Sequence, residues 1–142
     1  MTDILPLVSA EHALQEAVYG ALTANSALVT ALGGARVYDR APESAAFPYI
    51  AFAALASRDG STATEAGYEC RITLNIWSRH GGRREAFQLM QLLRQTLHDR
   101  ELALAEHILV NLREEFSEVG EDSDRKLFRG SLRLRAFIEI QS

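Results

Sequence analysis

The segment from Tyr68 to Leu97 changes its hydrophobic period once, across a glycine-rich corner, and this change restricts the fold more than any other feature of the chain. Tyr68, Cys70, Ile72, Leu74 and Ile76 alternate with Glu69, Arg71, Thr73, Asn75 and Trp77, the two-residue period of a strand buried on one face. Beyond Arg79-His80-Gly81-Gly82 the apolar positions become Ala86, Met90, Leu93 and Leu97, flanked by Phe87 and Leu89. That spacing is one stripe of an amphipathic helix. A strand with one apolar face that feeds such a helix buries the face beneath it, so the expected unit is a helix layer on a sheet.

The remaining chain extends the same plan. Ser9 is a predicted N-cap, and Leu14, Ala17, Val18, Ala21 and Leu22 mark a first helix. Asn25-Ser26 interrupts it, and a short second helix from Ala27 to Leu32 stops at Gly33-Gly34. Arg36-Val37-Tyr38 reads as a short extended segment and Ala41 to Ala46 as a loop. Phe47 to Leu55 is apolar on both parities, as in a strand covered at least in part on both faces, with Pro48 at its start or on a free edge. Ser57 to Gly67 is a hairpin loop, and Leu102 to Leu104 a short strand or turn. A third long strand runs from His107 toward Val119, a polar tip spans Gly120 to Asp124, and a fourth strand covers Lys126 to Ile140. The predicted fold is α+β: a two-layer sandwich whose mostly antiparallel sheet of about four long strands carries helices on one face. Residues 1–142 form one domain. With 142 residues, 47% of them hydrophobic, one such core buries about 70% of the unfolded surface without disulfide or metal. Its predicted interior is Ile72, Leu74, Ile76, Met90, Leu93, Leu134 and Ile138.

A net charge of −4 and a sequence pI of 5.6 argue against broad electrostatic attraction to nucleic acid or anionic membrane. Proteins are the expected partners. No apolar run approaches the roughly 18 residues of a membrane span, and Ile4 to Val8 lacks the basic flank and length of a signal peptide. The chain is therefore expected in a cytoplasm or in something assembled there. The single cysteine, Cys70, lies on the apolar parity of its strand and reads as a small buried hydrophobe, not a nucleophile.

Catalytic patterns do not emerge. His12, His80, His98 and His107 are scattered without metal-ligand spacing, and no serine stands in a G-x-S-x-G elbow. No catalytic residue, metal or cofactor is predicted. Three surfaces are candidates for binding. Arg79, Gly81, Gly82, Arg83 and Arg84 form a corner where a glycine nest and a helix N-terminus could hold a phosphate or a partner's carboxylate. The same residues also suit a tight turn with solvated arginines, because the pattern lacks a P-loop ending. Tyr49, Arg71, Trp77, Arg133, Arg135 and Phe137 fall on the parity facing away from the helices and belong to residue types enriched at interfaces, so a neighbouring subunit is expected over that face. Glu118, Glu121, Asp122 and Asp124 belong to the acidic run Glu114 to Asp124, which is self-repelling and reads as a solvated, mobile hairpin tip.

Taken in order, Leu14-Gln15-Glu16-Ala17-Val18-Tyr19 with Leu22, Leu32-Gly33-Gly34-Ala35-Arg36-Val37-Tyr38, Phe47-Pro48-Tyr49-Ile50, Leu74-Asn75-Ile76-Trp77-Ser78 with its corner and helix, and the strand from Arg129 resemble a known family. It is the tail-terminator, or tail-completion, proteins of long-tailed bacteriophages and phage-derived gene transfer agents. The resemblance covers nearly the whole chain through order and spacing. It implies an α+β protein without catalytic residues that forms a hexameric ring on the last ring of the tail tube, stops tube growth and offers a surface to head-completion proteins. The implied partners are further copies of itself, the tail tube protein and a head-completion or connector protein, with DNA passing through the channel without sequence-specific binding. The implied location is the head-proximal end of the particle's tail. Two alternatives stand beside it: a head-to-tail connector or tail-tube-like protein of the same particle, and a small anion-binding enzyme using the Arg79 to Arg84 corner.

Overall fold

The computed structural model describes residues 6–140, which form three helices and five strands. Helix α1, Ala10–Ala24, begins where the Ser9 hydroxyl accepts from the His12 amide and buries Leu14, Val18 and Leu22. Asn25 then does three things at once. Its amide donates to Leu22 O to close α1, its side-chain oxygen accepts from the Leu28 amide to open α2, Ser26–Leu32, and its Nδ2 donates to Thr96 Oγ1 at 2.7 Å. Gly33, at φ 82°, ends α2 in the left-handed conformation that side chains resist.

Strand β1, Val37–Tyr38, leads by way of the Ala41 to Ala46 connection into β2, Tyr49–Asp59, and the hairpin to β3, Gly67–Ser78. Helix α3, Arg84–Leu97, crosses to the second hairpin, β4, His107–Asp122, and β5, Leu127–Ile140. The strands lie in the order β1-β2-β3-β5-β4, with β1 parallel to β2 and every other neighbour antiparallel. The expected four long strands are β2, β3, β4 and β5. The fifth strand is Val37–Tyr38, too short to show a period of its own and recruited by pairing with Ile50 and Ala51.

All three helices occupy one face. Helix α3 packs on β3, β4 and β5, and α1 on β1, β2 and β3. Between the layers lie Ile72, Leu74, Ile76, Met90, Leu93, Leu134 and Ile138, each at most 1% exposed, as the alternation predicts. Gly130 lets α3 come close, because a Cβ there would stand 3.2 Å from Met90 Cε and 3.4 Å from the Ile76 side chain.

Two expectations require correction. Strand β2 is not covered on both faces: Ile50 is buried, but Ala53, Ala54 and Ala56 to Asp59 are exposed. Strand β1 ends at Tyr38, so β2 becomes a free edge past Ala51, and a bulge between Phe52 and Ala54 bends it. The run Glu114 to Asp124 is not a loop either. Strand β4 continues through Asp122, and only residues 123–126 turn. Glu118, Glu121 and Asp122 are strand residues and Asp124 alone belongs to the turn. Within the run, like-charge repulsion is relieved at Glu114 and Glu115, which meet Arg94, Arg71 and Arg133 of neighbouring elements, and at Asp122, which pairs with Arg125 of the turn.

Candidate functional site

The sheet face turned away from the helices is assembled by register. Arg71 of β3 stands opposite Arg135 of β5, which stands opposite Arg113 of β4. One step along, Thr73, Arg133 and Phe116 form the next row, and Trp77 pairs with Tyr49 and Arg129. Tyr49, Arg71, Trp77, Arg133, Arg135 and Phe137 thus share one face, as their parity indicates.

Arginines gathered on one face repel unless anions intervene, and two glutamates meet Arg58, Arg71 and Arg133. Glu115 accepts from Arg71 Nε at 3.0 Å and from Arg133 Nε at 2.8 Å, while Glu69 meets Arg71 Nη1 at 3.0 Å and Arg58 Nη2 at 2.9 Å. The result is an alternating chain, Arg58–Glu69–Arg71–Glu115–Arg133, across strands β2, β3, β4 and β5. The hydrogen bond from Arg71, aided by Arg133, holds the Glu115 carboxyl below the usual carboxylate range, and Arg58 does the same for Glu69. The bond to Glu115 raises the Arg71 guanidinium further. Arg113 turns instead to Asp99, 3.2 Å away.

The aromatic members are partly used within the chain. The Arg125 guanidinium lies 5.0 Å from the centre of the Trp77 ring and that of Arg133 5.1 Å from Phe116. Tyr49 packs edge-on against Phe47 and Tyr38. Phe137 lies under the base of the β2–β3 hairpin, where a Cβ on Gly60 or Gly67 would approach its ring to 2.7 and 3.0 Å. Arg135 is exposed. Ile108 and Phe116, both on this face of β4 and 43% and 45% exposed, add an apolar component that the sequence did not reveal. Glu115 was also missed. A bulge between Glu114 and Phe116 places Glu115 and Phe116 on the same face, so alternation cannot assign them, and only the acidic density of the run hinted at a role.

The arginine corner is built differently from the anion nest considered for it. Among the described residues the positive-φ glycines are Gly33 and Gly34, so Gly81 and Gly82 do not supply the left-handed half of a nest. Arg79 lies 4.2 Å above the Phe47 ring and Arg83 5.3 Å from Phe128. The start of α3 carries the chain's own carboxylate, Glu85, which accepts from the buried Ser78 hydroxyl at 2.6 Å. Arg79 and Arg83 therefore anchor the turn, and Arg84 projects as an exposed cation.

The acidic candidates gather at the far end of the β4–β5 hairpin. Asp122 pairs with Arg125 at 3.2 Å, while Glu118, Glu121 and Asp124 are exposed. Among the described residues no three His, Cys, Asp or Glu side chains form a metal-binding group, and no helix is long and apolar enough to cross a membrane. Burial pushes the Cys70 thiol up to about 11.

A helix-backed, mostly antiparallel sheet whose open face joins an ion-pair chain to exposed apolar side chains defines a small α+β domain suited to contact with other proteins. The particular family is specific: residues 16–139 match Tail completion protein gp17, and the chain belongs to that family. The fold is similar to that of a chain in the solved virion of a native gene transfer agent particle, with a TM-score of 0.84 and 27% identity over 93% of this chain and 99% of that one. No curated protein matches.

Proposed function

We propose that this protein completes the tail of a phage-like particle as a structural component, forming a hexameric ring on the last ring of the tail tube, ending tube growth and joining the tail to the head. The observation that carries this reading is the family match over residues 16–139 together with the likeness, over nearly the full length of both chains, to a component of a gene transfer agent virion. The reading needs no catalytic residue and no cofactor. It makes the protein's partners its own copies, the tube protein and a head-completion protein, at the head-proximal end of the tail. DNA crosses the ring without being read, and the acidic hairpin end, Glu118, Glu121, Asp122 and Asp124, faces that channel.

The deciding experiment is deletion of the gene, with particles counted by electron microscopy. Filled heads with overlong, unjoined tails are expected. Tails of normal length that fail to join would move the role to a head-to-tail connector, and normal tails joined to heads would overturn the assignment.

A further inference from the structure

The two outer edges of the sheet are treated differently. Strand β4 is guarded along its middle and second half: the Asp99 amide donates to Leu112 O at 2.8 Å, the Glu114 amide donates to His98 Nδ1 at 2.9 Å, and Glu114, Glu115, Glu118, Glu121 and Asp122 follow. Charge and cover are the usual defences of a sheet edge against pairing with another chain. Strand β2 has no cover past Ala51, and its charges, Arg58 and Asp59, stand only at the hairpin end. Ala53, Ala54, Ala56 and Ser57 are exposed, small and uncharged. Among the described residues, no backbone hydrogen bond outside the β2–β3 ladder involves residues 52–58.

Beside this edge, on the helix side, runs a groove of about 750 Å³. Phe52 and Leu55, whose register partners are the core residues Leu74 and Ile72, form its apolar floor, and Tyr19 of α1 forms part of its wall. The groove lies where β1 would continue along β2 if the chain did not leave the sheet after Tyr38. Its rim carries Glu11, Glu16 and Asp39, with His12 and no lysine or arginine. The three carboxylates are held by neutral or weakly basic neighbours, Ser57 at 2.6 Å, His12 at 2.8 Å and Gln15 at 2.8 Å. Their combined charge remains.

We infer that this groove receives an extended, basic segment from another protein of the particle, which adds to the sheet as a strand in the lane that β1 leaves. Main-chain bonding to the free edge supplies affinity, and pockets for alternate side chains supply selectivity. Apolar side chains of the incoming segment rest on Phe52 and Leu55, and its lysines or arginines reach the rim. Residues 52–59 offer about 26 Å of edge at about 3.3 Å per residue. A second copy of this chain is the poorer occupant: Arg71, Arg129, Arg133 and Arg135 lie in interior strands, the outer-strand arginines Arg58 and Arg113 are paired with Glu69 and Asp99, and the Arg79 and Arg83 side chains are stacked on Phe47 and Phe128. The tail-completion reading enters only as the source of the partner.

The test uses the full-length protein and two synthetic peptides, acetyl-Lys-Val-Lys-Val-Lys-Val-amide and its glutamate counterpart, with amide hydrogen exchange as the readout. The lysine peptide is expected to slow exchange at residues 53–57 and to bind at least tenfold tighter than the glutamate peptide. The double substitution Glu16→Gln with Asp39→Asn is expected to remove that preference. Equal protection by both peptides, or none by either at millimolar concentration, would overturn the inference. So would rings of the protein alone in which residues 53–57 are already protected, because the lane would then hold a second copy. Binding of the lysine peptide alongside normal tails in the deletion strain would leave the groove standing and discard only the tail role.

Discussion

At the scale of single residues, the interior and the caps carry the stability. Leu93 is fully buried between α3 and the sheet, so Leu93→Ala removes packed atoms and leaves a cavity; the expected loss is about 2 to 5 kcal/mol in urea unfolding. Cys70 reports on the same interior. Its thiol is 0% exposed and pushed up to about 11, first by desolvation and then by the nearby Glu11 and Glu69 carboxylates, so little thiolate forms at neutral pH. Labelling by a thiol reagent should be slow in the native wild-type protein and should accelerate in Leu93→Ala in step with its lowered stability. Rapid labelling of the native wild type would mean that the strand's faces are reversed.

At the scale of the elements, the chain of ion pairs ties four strands across the open face. Its members are solvent-accessible, so each pair contributes little by itself, but Glu115 bridges two arginines, Arg71 of β3 and Arg133 of β5, and so links two adjacent rows. The depressed folded-state values of Glu69 and Glu115 give a definite sign. Their contribution is complete above the unfolded glutamate value, about 4.3, and is lost as the pH falls through the lower folded values. Wild type should therefore lose urea resistance in the acid limb, beginning near that value and continuing below it. Glu115→Gln should be less stable at pH 7 and lose less on acidification. Parallel acid limbs for the two proteins would show that the bridge contributes nothing.

At the scale of the whole molecule, the core and the proposed assembly face lie on opposite sides of one sheet, so mutation can test folding and assembly separately. Arg135 is exposed on the open face, and Arg135→Glu should change stability by less than about 1 kcal/mol. Trp77 lies under Arg125 and beside Tyr49, and Trp77→Ala should still leave a folded chain by circular dichroism. If this face meets a neighbouring subunit, both variants should fail to complete tails in a deletion strain; normal tails with either would place the subunit contact elsewhere. A second separation concerns DNA passage. Replacing Glu118, Glu121, Asp122 and Asp124 with lysine changes the charge by two units at each site and creates phosphate-binding groups, whose attraction grows with every phosphate neutralised. Assembled particles should form and deliver DNA slowly, whereas unchanged delivery, or a ring with these residues on its outer rim, would dispose of a channel-facing role.

What could be read from the residues alone were the features with short-range causes. Strict alternation from Tyr68 to Ile76, the α3 stripe, the Ser9 cap and the Gly33 stop follow from local sterics and the burial of one apolar face, so the helices, the core and the open-face residues of β2, β3 and β5 were legible, whereas those of β4 were not. The order of motifs along the chain also carried the family. Tertiary structure decided whatever depends on register and on the neighbouring strand. The two-residue β1 exists because β2 offers it partners, and β2 becomes a free edge past Ala51 because β1 ends. The acidic run is strand because Arg71, Arg133 and Arg94, distant in sequence, reach Glu115 and Glu114. Register shifts at Val110 and Glu115 interrupt the alternation of β4, so parity does not assign that strand's faces. The groove beside β2 is a vacancy between two elements, and no residue pattern marks where a neighbouring strand stops.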